Sequence, residues 1–441
     1  MIALQNKNEF ICENLSRNAE GELCLAGVSL ISLAKQYGTP LYLYDEERIR
    51  ERCRTYTGAV KTAFGGRGKV LYASKAASFR RLYEIMKEEG MGIDVVSSGE
   101  IYTAMKAGYP LEYAYFHSNN KTDEDIAYAI ESGVGYFVVD NAEELYAIDR
   151  IAGEASVKQK ILLRLTPGID PHTYAAVATG KVDSKFGSAI ETGQAEEITR
   201  LALSLENIDL RGFHCHVGSQ VFDSDVYMRA ADVMLGFVAL MNEKLGFSAS
   251  ELDIGGGYGV RYISEQPEID IAANIFEVAD YMKKKAQELG IELPSVAFEP
   301  GRSIVADAGA TVYTVGTVKR IPGYKSYVSV DGGMADNPRF ALYGSPYTLL
   351  TVSDFSGDAT ETYSVVGRCC ESGDILQENV SLPSSIKRGD LIACLTTGAY
   401  HYSMSSNYNR LTRPPVVMIN RGESYVAVKK ESFEHLTALE L

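Results

Sequence analysis

The chain has 441 residues, more than one hydrophobic core usually serves, so we expect two domains or one large barrel with an appendage. Apolar residues make up 46% and charged residues 23%, a globular composition that excludes disorder of the bulk. The formal net charge of −15 argues against a nucleic-acid partner, because phosphate backbones are bound by excess Lys and Arg.

Seven cysteines are scattered without CxxC pairs, which indicates neither a disulfide framework nor a zinc site. The N-terminus lacks a basic region followed by an apolar stretch, and no run of about 18 apolar residues occurs. We therefore expect a cytoplasmic protein that is neither exported nor inserted into a membrane, and we expect no metal site.

The first 40 residues look short and extended, and a helix is expected over residues 46–60. Between residues 69 and 301, β-rich segments alternate with segments of helical period, which is typical of parallel strands joined by crossover helices. Helices are expected over residues 122–132, 142–152, 224–245 and 271–288. The predicted strands are KVLYASK, GIDVVS, YAYFHS, YFVVD, KILLRL, LRGFHCHVGS, LDIGGG and VAFEPG, ending at residues 75, 97, 118, 140, 165, 219, 257 and 301.

Eight such units match an α/β fold of the (β/α)₈ TIM-barrel type, with an open doubly wound sheet as the alternative. After Arg302, segments such as TVYTVGTVKR, SYVSVD and PVVMIN predict a second, mostly β domain. We place the barrel at residues 41–302 and the β domain at residues 1–40 and 303–441, so that the N-terminal segment joins the β domain.

Polar residues accumulate where the barrel strands are predicted to end, which is where such barrels build their active sites. They are Lys75, Asp94, His117, Arg164, His214, His216, Gly255, Gly256, Gly257, Glu299 and Arg302.

Each of these features also has an ordinary structural explanation. Lys75 suits a Schiff base with a carbonyl if its amine is partly desolvated, or it is a lysine that only extends toward solvent. The glycines of LDIGGGYG suit a phosphate, or they form a tight turn. His214 and His216, two apart on one predicted strand, suit a metal pair less well than a stacking or hydrogen-bonding imidazole. The carboxylate and guanidinium of EPGR are suited to bind a heteroaromatic nitrogen and an anion, or they form a surface ion pair. Together the four features favour pyridoxal 5'-phosphate.

At these residues the chain resembles the barrel-type pyridoxal-phosphate decarboxylases, and within them the diaminopimelate decarboxylases. The resemblance runs nearly end to end and also covers PGIDPHTYAAVATGKVDSKFG, DGGMADNPRFALYGSPY, VGRCCESGDIL and GAYHYSMSSNYN. It implies pyridoxal phosphate as cofactor and decarboxylation of meso-diaminopimelate to lysine.

The resemblance also implies site residues. Lys75 matches the cofactor lysine, His216 the ring-stacking histidine and Glu299 the partner of the pyridine nitrogen. Phosphate contacts fall on Ser219, Gly255, Gly256, Gly257 and the backbone of Glu299, Pro300, Gly301 and Arg302. Substrate contacts fall on Arg302, Arg339, Tyr343, Glu371 and Tyr400, of which Tyr400 also touches the cofactor.

Cys370 matches the proton donor of the family. Its neighbour Cys369 is the alternative, although the two thiols would face opposite sides if the segment is an extended strand. In the family this segment crosses a dimer interface, so the resemblance implies a homodimer in which Cys370 and Glu371 complete the neighbouring site.

Two rival functions remain open from the sequence. One is a decarboxylase of the same architecture acting on ornithine, arginine or carboxynorspermidine, substrates that lack the distal amino acid group of diaminopimelate. The other is a non-catalytic, antizyme-like protein that keeps the barrel without turnover.

Overall fold

The computed structural model describes residues 10–169 and 183–441. These residues form two compact units. The barrel unit comprises residues 52–259 and 268–303, and the β unit comprises the described residues up to 51 together with 260–267 and 304–441. Most of the motif PGIDPHTYAAVATGKVDSKFG lies outside the described residues.

The barrel unit contains eight parallel strands that close on themselves, because the fourth strand pairs with the fifth and the eighth pairs with the first. This closure confirms the barrel and excludes the open sheet. The short strand Ser188–Ala189 pairs in parallel with the fifth strand. The eight barrel strands are Gly68–Ala73, Gly92–Val95, Ala114–Phe116, Tyr136–Val139, Gln159–Thr166, Ile208–His214, Glu251–Asp253 and Ser295–Phe298.

The barrel strands form where the sequence is continuously apolar, since both of their faces are covered. Ile161, Leu162 and Leu163 in the fifth strand are all fully buried. Crossover helices follow the strands, and Thr122 begins one of them with a capping box to Asp125. The helices of the barrel unit are Arg80–Glu88, Ser98–Lys106, Asp123–Glu131, Ala142–Glu154, Gln194–Ser204, Ser224–Leu245 and Ile271–Glu288, with 3₁₀ turns at Ser74–Ala76 and Leu111–Tyr113.

The eight predicted strands and four predicted barrel helices are confirmed, with errors at the strand ends. The sixth strand ends at His214, whereas the sequence predicts a strand continuing to Ser219. His216 therefore lies beyond the strand, and the argument from two-residue alternation does not apply to it.

The β unit is built on a nine-stranded sheet of mixed direction. Leu41–Asp45 lies inside it, antiparallel to Gly309–Arg320 on one side and parallel to Val416–Asn420 on the other. This pairing places Leu41–Asp45 in the β unit, whereas the predicted boundary assigns residues 41–302 to the barrel. Its other strands are Leu15–Arg17, Leu23–Leu25, Val28–Ser29, Ser326–Val330, Leu349–Thr351, Thr360–Val366, Ile375–Pro383, Leu391–Leu395 and Glu423–Val428, the first three forming a separate small sheet.

The prediction of an extended N-terminal segment is wrong over Leu30–Tyr37, which is a helix whose N-cap Ser29 accepts a hydrogen bond from the Ser32 amide. The helix expected over residues 46–60 is confirmed as Glu46–Ala63. Short helices also occur at Arg302–Val305, Arg339–Tyr343, His401–Met404 and Phe433–Thr437, with a 3₁₀ turn at Tyr408–Arg410.

All seven cysteines lie in the described part of the chain and are free thiols, six of them buried and Cys370 exposed. Among the described residues, no helix is both long and apolar enough to span a lipid bilayer.

Candidate active site

The candidate active site of the barrel unit lies at the carboxyl ends of its strands. Lys75 occupies the 3₁₀ turn Ser74–Ala76 directly after the first strand. Its side chain is exposed, whereas Ser74, Ala76 and Ala77 around it are buried. Partial desolvation was the condition set for a Schiff-base role, and the structure instead presents a lysine side chain that an incoming molecule can reach.

The carboxylate of Glu299, just after the eighth strand, is the centre of a buried polar cluster. His117 Nε2 lies 2.7 Å from Glu299 Oε1, and His214 Nε2 lies 3.1 Å from Glu299 Oε2. The two imidazole rings meet edge to face with their centroids 4.9 Å apart. Each oxygen of the carboxylate is thus aimed at a different imidazole, and this fixes the plane of the carboxylate.

The cluster holds Glu299 in its charged form. Burial alone would raise the pKa of Glu299, but His117 and His214 outweigh it and lower that pKa well below its ordinary value. Burial also lowers the pKa of His214, so a neutral imidazole donates this hydrogen bond. Burial and the Glu299 charge together raise the pKa of Asp253 well above its ordinary value.

The surrounding groups are also shifted. Burial lowers the pKa of His216 well below its ordinary value, and the charge of Lys75 adds to this effect, so His216 presents a neutral ring. Burial raises the pKa of Asp94 to about 6 and that of Glu100 to about 7, while Lys75 opposes both shifts. Lys75, His216 and Glu299 therefore act on one another electrostatically at one barrel end.

The glycine loop after the seventh strand brings backbone close to backbone. A Cβ at Gly256 would lie 1.9 Å from the carbonyl oxygen of Glu299, and one at Gly257, where φ is +113°, would lie 2.2 Å from the carbonyl oxygen of Gly218. Only glycine fits such approaches. The loop thus packs against the EPGR turn and the segment after the sixth strand, both of which the sequence assigns to phosphate binding.

Ser219 and Arg302, predicted as phosphate and anion contacts, lie together in this unit. The guanidinium of Arg302 donates to Ser219 Oγ at 2.9 Å from Nη2 and 3.3 Å from Nε. Arg302 is buried, so its charge is directed into the site rather than spread into solvent.

The remaining predicted site residues belong to the β unit, where three of them form one group. The guanidinium of Arg339 lies 4.9 Å from the ring centroid of Tyr343 and 4.7 Å from that of Tyr400. Arg339 is 7% exposed, and its Nε has no hydrogen-bond partner among the described residues. A buried guanidinium with an unused donor is suited to a carboxylate.

Cys369 and Cys370 lie in a bend and not in a strand, so the premise of strand alternation is wrong. The two adjacent thiols nevertheless differ, because Cys370 is exposed and Cys369 is buried. Burial and the carboxylate of Asp374 raise the pKa of Cys369 to about 11. Glu371 is exposed and accepts a hydrogen bond of 3.3 Å from the hydroxyl of Tyr408.

Sequence reasoning missed the partners of Glu299. It named His117 and His214 as strand-end residues but gave them no role toward the carboxylate, and it did not name Asp253. Their proximity to Glu299 could have been predicted, because His117, His214 and Asp253 each end or follow a barrel strand. The carboxyl ends of parallel barrel strands meet at one rim. The ligand atoms of His117, His214 and Glu299 lie within 4.8 Å of one another, so an ion there would replace the hydrogen bond between His214 and Glu299 and the close contact between His117 and Glu299. The absence of a metal stays a prediction.

The donor set of the barrel unit fits pyridoxal phosphate. It combines a reachable amine, a partly buried neutral imidazole, an anionic carboxylate, and a glycine loop beside the hydroxyl and guanidinium of Ser219 and Arg302. In that order, these groups are suited to bind the aldehyde, the ring face, the pyridine nitrogen and the phosphate of pyridoxal phosphate.

Comparison with known proteins agrees with this donor set. Residues 46–306 match the family model described as "Pyridoxal-dependent decarboxylase, pyridoxal binding domain". Over 425 residues, 96% of both chains, the sequence is 41% identical to the diaminopimelate decarboxylase of Bacillus subtilis (strain 168).

Two solved structures share the fold. Diaminopimelate decarboxylase from M. jannaschii in complex with L-lysine has a TM-score of 0.90 at 30% identity, covering 98% of both chains. A lysine/ornithine decarboxylase from Vibrio vulnificus in complex with putrescine has a TM-score of 0.75 at 26% identity, covering 92% of this chain and 99% of that one. From the sequence match over nearly its whole length, the chain belongs to the pyridoxal-dependent decarboxylases, and within them to the diaminopimelate decarboxylase family.

Proposed function

We propose that the protein decarboxylates meso-2,6-diaminopimelate to L-lysine and CO₂ with pyridoxal phosphate, as the last step of bacterial lysine biosynthesis. The observation that carries the chemistry is the Glu299 carboxylate, kept anionic by two imidazoles at the barrel end that also bears Lys75. The observation that supports the choice of substrate is the 41% identity to the Bacillus subtilis diaminopimelate decarboxylase over 96% of the chain.

When bound, pyridoxal phosphate supplies an electron sink for the pair of electrons that CO₂ leaves behind. Glu299 stabilises a proton on the ring nitrogen, because a nearby negative charge favours the cationic form of its partner. His117 and His214 hold Glu299 in place for this role. Lys75 would bind the aldehyde carbon, and His216 would contact the ring face.

The phosphate is held by the hydroxyl of Ser219 and by backbone amides of two segments. These amides belong to Gly256, Gly257, Gly301 and Arg302, whereas the Gly255 N–H already donates to Asp253 Oδ1 at 2.7 Å. Pro300 has no N–H and contributes only the rigid turn that positions its neighbours. The close packing of Gly256 against Glu299 keeps the phosphate segment and the ring-nitrogen partner at a constant separation.

Substrate specificity is assigned to the charged groups of the β unit. A distal amino acid group bears both charges and therefore needs counter-charges of both signs. We propose that Arg339, with its buried and unused Nε donor, binds the distal carboxylate together with Tyr343, and that Arg302 binds a substrate carboxylate as well. Glu371 binds the distal ammonium, and Tyr400 contacts both cofactor and substrate.

Cys370 is proposed to return the proton to the carbon that loses CO₂. Its exposure supports this choice over Cys369, which is buried and whose raised pKa makes it a weaker acid. The active form is proposed to be a cytoplasmic homodimer in which Cys370 and Glu371 of one subunit complete the site of the other. Tyr408, which is 40% exposed and donates to Glu371 in this segment, supports a surface that another subunit covers.

The test is to offer the purified protein meso-diaminopimelate, lysine, ornithine and arginine separately, and to follow CO₂ release and product identity. We expect lysine from diaminopimelate and no CO₂ from the other three. Release from ornithine or lysine would favour the lysine/ornithine activity named for the Vibrio vulnificus structure. No release from any of them would favour the non-catalytic alternative.

A further inference from the structure

A second cavity lies at the opposite end of the barrel from Lys75. Its walls include the first residues of the first, second and fourth strands, Gly68, Gly92 and Tyr136, and its volume is about 740 Å³. This volume is within the range of small-molecule sites, about 300–1,000 Å³. We call it the N-terminal cavity. Every lining residue belongs to the barrel unit.

The N-terminal cavity is positively charged although the chain carries a net charge of −15. The lining residues include Lys61, Lys69, Lys87 and Lys160, and Glu112 is the one acidic residue among them. Lys69 is neutralised by buried Glu251 at 2.5 Å. Lys87 donates to a backbone carbonyl, which leaves its charge in place. Among the described residues, no carboxylate lies within ion-pair distance of Lys61, Lys87 or Lys160. Three uncompensated amines thus face one carboxylate.

The wall between these amines is apolar and flat. Tyr115 and Tyr136 stack at 4.3 Å with an interplanar angle of 2°, and the amines of Lys69 and Lys160 lie 5.0 Å and 5.4 Å from the Tyr136 ring centroid. Tyr113 is 58% exposed and lines the same cavity beside Pro110. A planar anionic ligand would therefore pack against the exposed ring of Tyr113 while its charged group reaches the lysines.

We propose that the N-terminal cavity is a second ligand site, for a small organic anion with a planar apolar body, separate from the Lys75 site. Positive charge selects the anion, and the exposed tyrosine with its apolar surroundings selects the planar body. The first and fourth strands contribute residues to this wall at their starts, so the site is built on rigid elements. The inference does not depend on which amino acid the enzyme decarboxylates.

The probe for this site is 8-anilinonaphthalene-1-sulfonate, added to the holoenzyme and followed by fluorescence. We expect saturable binding that excess L-lysine does not displace. Lys160→Ala should weaken binding about tenfold, equivalent to about 1.4 kcal/mol, while decarboxylation without the probe is unchanged. Tyr113→Ser should weaken it without removing a charge. Lys284→Ala, which removes an exposed lysine outside the cavity, is the matched control and should bind as wild type.

Two further probes separate charge from planarity. Inorganic phosphate should compete poorly because it lacks the planar body, and neutral N-phenyl-1-naphthylamine should bind weakly because it lacks the charge. Full competition by phosphate, equal affinity of the neutral probe, displacement by L-lysine, or unchanged affinity in both Lys160→Ala and Tyr113→Ser would each overturn the proposal. A protein without decarboxylase activity that still gave the expected binding would refute only the proposed function.

Discussion

The proposed chemistry depends most directly on the carboxylate of Glu299. Glu299→Gln keeps the shape of the side chain but removes its charge and replaces one acceptor oxygen by an NH₂ donor. We expect the cofactor to remain bound, as its absorbance would report, while CO₂ release falls at least about a hundredfold because the ring nitrogen loses its anionic partner. The exposed Glu131→Gln is the control. Near-normal turnover in Glu299→Gln would remove this carboxylate from the mechanism.

Asp336 in the β unit predicts a pH dependence of stability. Burial raises its pKa to about 7, although Tyr313 donates to it at 2.6 Å and the Gly333 amide at 2.9 Å. The folded state therefore holds a proton that the unfolded state releases near its ordinary pKa of 3.8. This contribution to the free energy of unfolding is fully present below about pH 4 and is lost as pH rises toward 7, by up to about 1.4 kcal/mol per pH unit.

Denaturant unfolding of wild type and Asp336→Asn across pH 4 to 8 checks this contribution. The amide cannot ionise, so the variant should lack the loss of stability over this interval, and the difference between the two proteins should change with pH in that window. Parallel pH profiles for the two proteins would show that Asp336 is ionised throughout.

At the residue level the sequence predicted which polar groups meet at one end of the barrel better than it predicted their environments. Lys75, His216 and Glu299 were selected because polar residues at strand ends are unusual, and the structure places all three at one rim. The charged state of Glu299 could not be predicted, because it depends on His117 and His214, which come from the ends of the third and sixth strands. Likewise, the bend that distinguishes Cys369 from Cys370 depends on a hydrogen bond from Cys369 N–H to Asp374.

Among the secondary-structure elements, the third and fourth β/α units are joined by a buried ion pair. Lys121, at the start of one helix, lies 2.8 Å from Glu144 of Ala142–Glu154, and it also donates to the carbonyl of Val138 at 2.8 Å. Both side chains are almost completely buried. The ion pair and the hydrogen bond to Val138 together connect these two crossover segments to the fourth strand.

Lys121→Met should lower the free energy of unfolding by about 3–5 kcal/mol, because it leaves a buried carboxylate without its partner. Lys121→Met/Glu144→Leu should recover much of this loss, since neither charge is then buried. Chemical denaturation of the two variants measures the difference. A double variant as unstable as the single one would contradict an electrostatic origin of the loss.

The elements themselves were predictable where periodicity and length agreed. The helices Ser224–Leu245 and Ile271–Glu288 were predicted to the residue, since both are long and carry caps, Asp223 and Asp270. The strand Ile375–Pro383 was not predicted, because polar Gln377, Glu378 and Asn379 interrupt its alternation. Its identity as a strand depends on its antiparallel partner Thr360–Val366, which supplies the backbone hydrogen bonds.

For the whole molecule, the proposed sharing of active sites between subunits predicts complementation. Lys75→Ala and Cys370→Ala should each be nearly inactive as homodimers. Co-expressed at equal levels, they should recover about a quarter of wild-type activity, because half of the dimers are mixed and each mixed dimer has one intact site. CO₂ release from the purified mixture measures this. A mixture no more active than its two parents would show that each subunit uses its own cysteine.

The strand Leu41–Asp45 has a consequence for biosynthesis. Its two neighbours, Gly309–Arg320 and Val416–Asn420, leave the ribosome only after the whole barrel has been made, so the nascent strand exposes two unpaired edges throughout that period. The eight barrel strands, by contrast, find their partners among themselves, and the barrel can close while the ribosome is still translating. The first strand of the large sheet is therefore the part of the nascent chain most in need of a chaperone.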